Sequence, residues 1–121
     1  MAATTITKAV ITRNAATAFP SYGTVAANEG TLVTFDKDDQ KILLMLKNNI
    51  TNATHTAVIK AGNGLQGVAD LEIPIAQSSV VGVVVESGKF KNVSGTNKGK
   101  VLVQDKSTAG TAIEVAAIDL P

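Results

Sequence analysis

The side chains able to do chemistry are few and widely spaced. Asp36, Asp38 and Asp39 stand like the opening of a calcium loop. Such a loop needs a glycine at its sixth position and a bidentate glutamate at its twelfth. Lys41 and Lys47 occupy those positions, so the segment reads as a solvated turn. Gly62-Asn63-Gly64-Leu65-Gln66-Gly67 has the glycine spacing of a dinucleotide-binding turn. That turn requires a helix straight afterwards, whose N-terminus receives the pyrophosphate. Here VADLEIPI follows, with Pro74 inside it, and Glu86, the acidic residue at a suitable distance, precedes a turn with no crossover helix between. A loop whose glycines adopt positive φ is the better account. Gly88-Lys89 and Gly99-Lys100 lack the following Ser or Thr and the upstream glycine of a phosphate-binding loop. His55 is the only histidine. A nucleophilic triad would need it beside an acid and an activated serine, and no serine sits in a G-x-S-x-G elbow. No spacing of Asp, Glu and His55 suggests zinc ligands. The expectation is a protein without catalytic residues, cofactor or metal.

Lys89, Lys91, Lys98, Lys100 and Lys106 place half of the lysines within 18 residues. This cluster fits an anionic partner, or lysines that keep exposed strand edges and turns from aggregating. Only Phe90 among them offers a ring, and the single arginine, Arg13, is remote.

The elements carrying these residues read as short strands. TLVTF (31–35), KILLMLKN (41–48), AVIK (57–60), LEIPI (71–75), VVGVVV (80–85), KVLVQ (100–104) and AIEVAAIDL (112–120) are β-branched or aliphatic runs split by Gly, Asn and Lys. Ile42, Leu44 and Leu46 share one strand face, and Leu43 and Met45 the other, so the segment needs cover on both sides. It is expected to form a hairpin with 57–60. Pro74 places 71–75 at an edge or bulge, and VVGVVV is expected to be buried on both faces. Residues 86–100 read as a short extended piece around Phe90 followed by a turn. Ile118 and Leu120 fall on the opposite face from Ile113 and Val115 unless Ala116–Ala117 forms a bulge. Turn signals every 8–12 residues, no βαβ spacing and no internal repeat predict an all-β fold: an antiparallel sandwich or small barrel of seven to nine short strands.

Composition sets further bounds. At 121 residues the chain has the size of one domain. Aromatics are 3%, too few for the exposed ring platforms on which sugars or bases stack. The net charge of +1 gives no global attraction to nucleic acid or to a membrane. There is no cysteine, hence no disulfide or thiolate chemistry. The N-terminus lacks the pattern of a secretory signal, and no apolar run approaches the about 20 residues needed to span a bilayer. Synthesis in a cytoplasm is the expectation.

Several local motifs carry a family resemblance: Lys60-Ala61-Gly62-Asn63-Gly64 after a strand, Gly67-Val68-Ala69-Asp70-Leu71, Glu86-Ser87-Gly88-Lys89-Phe90-Lys91-Asn92, Gly99-Lys100-Val101 and the terminal Ile118-Asp119-Leu120-Pro121. Together they resemble small β-sandwich virion proteins of tailed bacteriophages, of the head-decoration type, over roughly residues 31–121. The resemblance implies a non-enzymatic protein on the virion surface that binds the major capsid protein from outside and stabilises the head. It also implies a homo-oligomer, with a trimer as the family's common form. A tail or adhesion component on the same sandwich is the alternative, and a soluble carbohydrate-binding module a third.

Residues 1–30 lie outside the resemblance. They are rich in Thr and Ala, and turn formers at Gly23, Asn28 and Gly30 separate them from the first firm strand. They read as an arm plus an edge strand ahead of a sandwich domain at 31–121, with NAATAF (14–19) as a candidate helical turn. The apolar positions of 4–12 change face between Ile6 and Ile11. Such an arm stays mobile unless tied down, yet Ile6, Val10, Ile11, Phe19 and Tyr22 suffice to add a strand to an exposed edge. These five residues, with Lys89 and Lys91, are the expected partner-binding residues, and the arm is the expected main attachment element.

Overall fold

The computed structural model describes residues 4–24, 29–106 and 112–121. In chain order the strands are β1 (Thr4–Thr5), β2 (Ala9–Val10), β3 (Gly23–Thr24), β4 (Thr31–Thr34), β5 (Ile42–Asn48), β6 (His55–Ile59), β7 (Leu71–Ile75), β8 (Val80–Val83), β9 (Lys100–Asp105) and β10 (Ile113–Asp119). A 3-10 turn spans Asp39–Lys41, and one helical turn, α1, spans Ser87–Phe90. Two sheets form. One has the order β1-β4-β9-β6-β7, the other β2-β10-β5-β8, with β3 also on the free edge of β10. The fold is all-β with open sheets, not a barrel. The seven longer strands pair with one another only antiparallel. β1 and β2 add in parallel, so both sheets are mixed rather than purely antiparallel.

The core lies between the sheets and is built from alternate residues of each strand. Ile42, Leu44 and Leu46 of β5, with Ile113 and Val115 of the neighbouring β10, face Val101 and Val103 of β9 and Ile59 of β6 in one apolar cluster. Phe35 and Phe90 are its only rings. β5 is central in its sheet, between β10 and β8; its inner face is buried, and Leu43 and Met45 on the outer face are half-buried.

Several local expectations change. β5 and β6 do not form a hairpin, because they lie in different sheets and β6 pairs with β7 and β9. The polar segment 49–54 therefore crosses the sandwich. β7 is an edge strand and Pro74 is exposed there, as its missing N–H requires. β8 is also an edge, so Val80 and Val84 are half exposed rather than buried. β10 pairs with β5 without a bulge, yet Ala116 and Ile118 are buried on its outer face. Residues 87–90 make a helical turn that drops Phe90 into the core. Residues 14–19 form no helix.

The arm explains its own change of face. Residues 4–11 do not form one strand. Thr4–Thr5 pairs with β4 of one sheet, Ala9–Val10 with β10 of the other, and residues 6–8 cross between them. Ile6 packs against the core. The Ile6 N–H donates to the Leu32 carbonyl and the Ile11 N–H to that of Asp119. Residues 4–11 are thus docked on the chain's own sheets, not awaiting a foreign edge.

Candidate functional site

Strand registers place three connections at one end of the sandwich. β6 and β9 are antiparallel with Ile59 opposite Val103, so the 60–70 connection leaves from the end where β9 begins. Residues 86–99 lead into β9 at that end. Residues 35–41 join β4, whose Thr34 faces Lys100, to the start of β5. The arm passes the same end after Val10, opposite Asp119, and returns at Gly23, opposite Val115.

The 60–70 connection is braced against 86–94 by close backbone approach. Its glycines are not at positive φ, contrary to expectation; that conformation occurs at Gly30, Gly95 and Gly99. Gly62 and Gly67 are required for space. A Cβ on Gly62 would sit 2.4 Å from the Lys91 carbonyl oxygen, and one on Gly67 would sit 1.9 Å from that of Gly62. The Gly62 N–H donates to the Lys89 carbonyl at 2.9 Å. The Asn63 side chain bridges the two segments. Its Oδ1 accepts the Val93 N–H at 2.7 Å and its Nδ2 donates to the Ser94 carbonyl at 3.0 Å. At the neck, Asp70 accepts the Ala61 N–H at 2.7 Å and pairs with Lys60 at 2.8 Å. The Ala61 N–H first, then Lys60, hold the Asp70 carboxyl below its ordinary range.

This frame presents apolar side chains to solvent. Leu65 and Val68 are almost wholly exposed, and Val93 beside them is more than half exposed. Lys91 and Lys98 border a depression of about 440 Å³ with Ser87, Gly88 and Val93. Lys89 pairs loosely with Glu86 at 3.6 Å. Lys100 reaches Thr5 Oγ1 of the arm at 2.9 Å. Across 60–70 and 86–100, five lysines stand against two carboxylates in a chain of net charge +1. The 35–41 connection at the same end adds Asp36, Asp38 and Asp39 against Lys37 and Lys41, so the excess of positive charge is local to 60–70 and 86–100.

The expected arm residues divide. Ile6 is turned inward, and its Cγ2 would lie 3.1 Å from a Cβ at Gly23. Ile11 is half-buried. Tyr22 lies over the Lys47 ammonium, 5.4 Å from ring centroid to Nζ. Val10 and Phe19 remain exposed, Phe19 at 75%. The arm is locked by Lys8, whose buried ammonium lies 2.7 Å from Asp36 and 3.0 Å from Asp119. Burial opposes the Lys8 charge, but the bonds to Asp36 and Asp119 outweigh it and raise its pKa. The Lys8 bond holds the Asp36 carboxyl below its ordinary range.

His55 opens β6, across from Ile75, at the other end of the sandwich. Asp36 binds Lys8 and Asp39 accepts the Ser87 N–H, so these carboxylates serve different neighbours. Among the described residues no three His, Asp or Glu side chains gather as metal ligands, and no helix is long and apolar enough to cross a membrane. Phe35 and Phe90 are in the core, which leaves Phe19 as an isolated exposed ring.

Sequence reasoning singled out Lys89 and Lys91 but passed over Leu65, Val68, Val93 and Asn63. The available signal was large aliphatic residues inside a Gly/Asn/Gln turn, where burial gives them no reason to be. Comparison with known proteins finds no matching family model, no matching curated protein and no matching solved structure.

Proposed function

We propose that the chain is a non-enzymatic bacteriophage virion protein that binds the exterior of the head and stabilises it, contacting the major capsid protein. The observation that carries the reading is the built end of the sandwich. Leu65, Val68 and Val93 are held out by a hydrogen-bonded glycine frame, with Lys91 and Lys98 beside Val93. Exposed aliphatic groups on a rigid frame are costly to keep in water and useful against a partner. The local motifs of 60–71 and 86–101 that resemble phage head-decoration proteins form this end. Phe19 and Val10 of the arm provide further exposed apolar contacts. The scarcity of exposed rings disfavours a carbohydrate-binding module.

The test is co-sedimentation of purified protein with undecorated heads and, separately, with isolated tails of a tailed phage. Saturable binding to heads, with delayed rupture on heating, is the expected result. Binding to tails alone would support the tail-component reading instead. Binding to neither, with retention on a glycan array, would overturn both virion readings.

A further inference from the structure

The free edge of β8 differs from every other edge in the described structure. β1, β2 and β3 are two residues long. β7 is blunted by Pro74 and carries the Glu72–Lys106 ion pair at 2.9 Å. β8 has neither device. From Ala76 to Val85 the chain has no charged residue and no proline. Natural sheets seldom leave such an edge unpaired.

The hydrogen-bond phase of this edge is fixed by its pairing with β5. The Asn48 N–H donates to the Ser79 carbonyl, and the register continues as Leu46 opposite Val81 and Leu44 opposite Val83. In an antiparallel ladder this turns the peptide groups of 79, 81 and 83 toward β5 and those of Val80 and Gly82 toward the open edge. Val84 continues the alternation, because Val85 is back in the core. The outward side chains follow the same parity. Val80 and Val84 are about half exposed, at 50% and 51%, and they flank Gly82. Val81 and Val83 pack on the core.

We infer that β8 pairs with β8 of a second copy of this chain, antiparallel, about a two-fold axis at Gly82. This register alone pairs all three free positions among themselves: Gly82 faces its counterpart, and Val80 faces the second copy's Val84, for roughly six inter-chain hydrogen bonds. It joins the two β8-containing sheets into one. Four valines then cluster around the paired glycines on the outer face. Leu43 flanks them on the same face, its Cδ1 3.3 Å from where a Gly82 Cβ would stand. No like charges meet, because Glu86 falls opposite Ser78 rather than opposite itself. Such an isologous contact closes at two, so it gives a dimer and not the trimer that the resemblance implies. The inference does not depend on what the protein attaches to.

Two double variants separate this register from general stickiness. Val80→Lys with Val84→Lys puts like charges opposite each other twice. Val80→Lys with Val84→Glu puts opposite charges there and adds as many charged groups. Sedimentation velocity over a concentration series is the measurement, with circular dichroism melts to check folding. The wild type should show a monomer–dimer equilibrium. The double-lysine variant should dissociate about tenfold more readily. The Lys/Glu variant should associate at least as well as the wild type, and less so at high salt. A wild type that stays monomeric into the millimolar range, assembly to another stoichiometry, or a Lys/Glu variant as dissociated as the double-lysine one would each overturn the inference. Should either variant misfold, Gly82→Cys tests the axis directly, since the chain has no other thiol. Paired Cα atoms about 5.5 Å apart suit a disulfide. Gly82→Cys should oxidise to a covalent dimer faster than Gly95→Cys, and an equal or slower rate would overturn the pairing.

Discussion

Lys8 is the clamp of the arm, and its removal should release the arm without unfolding the sandwich. Its ammonium is buried between Asp36, which is largely exposed, and Asp119, whose side chain is 6% exposed. The Asp36 contact is worth no more than about 1 kcal/mol, as for exposed pairs. The Asp119 contact matters more, because Lys8→Met leaves a buried carboxylate without its cation, which in a rigid interior costs about 3–5 kcal/mol. The full cost is not reached here. The arm is held by two short parallel pairings and Ile6, and lifting it returns Asp119 to water. The expected loss is therefore about 2 kcal/mol, in the arm alone, or about thirtyfold in local opening. Hydrogen exchange at the Ile6 and Ile11 amides reads this directly, since they donate to Leu32 and Asp119. Amides of β5 and β10 should keep their protection. The clamp also has a pH window. The Asp36 pKa is lowered from 3.8, so its contribution is present above that value and lost as pH falls through the lower folded pKa. The Lys8 pKa is raised from 10.5, so its contribution is complete below that value and lost as pH rises past the higher folded pKa. Unchanged Ile6 and Ile11 exchange in Lys8→Met, or equal loss of protection in β5, would refute the argument.

Other outcomes follow from single buried contacts. Asn48 is wholly buried; its Nδ2 donates to the Ala53 and Ile75 carbonyls and its Oδ1 accepts the Ile50 N–H, so Asn48→Ala should lose about 3 kcal/mol in denaturant titration. Gly62→Ala and Gly67→Ala should each cost about 1–3 kcal/mol by overpacking, whereas Gly64→Ala, whose Cβ would lie 3.4 Å from Val93 Cγ1, should melt like the wild type. Leu65→Ser with Val68→Ser should leave the melting temperature unchanged and weaken head binding, which is measured by co-sedimentation. Because the Asp70 pKa is lowered from 3.8, protection at the Ala61 amide should persist above that value and fall as pH drops through the lower folded pKa.

Much of the fold was legible because its signals are local. Alternation in 42–48 and 100–105 marked the inward residues, and Pro74 marked an edge. The failures share a cause: they concern which strands meet, and that is decided by long-range packing. Residues 57–60 looked like the return strand of 42–48 because the two runs are adjacent and apolar, yet the intervening loop crosses to the other sheet. VVGVVV looked doubly buried because hydropathy cannot distinguish a central strand from an edge awaiting cover. The candidate site was legible only as a group of lysines. Its apolar half stands on two glycines chosen for backbone approach, and that role becomes visible only when 62–67 is seen against 88–94.

The arm and the β8 edge lie on opposite sides of the same sheet, and the chain treats them differently. On the β10 side, residues 9–10 and 23–24 of the chain itself cover the free peptide groups, and Lys8 fastens the cover. On the β8 side nothing within the described chain does so. An uncovered edge that is also uncharged has two physical outcomes, disordered aggregation or a defined partner. The placing of the free positions 80, 82 and 84 favours the second, because only the register about Gly82 pairs all three with their counterparts. On the proposed pairing the sheet is closed by its own sequence on one side and by a copy of itself on the other, which would leave the built end, with Leu65, Val68, Val93 and the lysines, outside that contact.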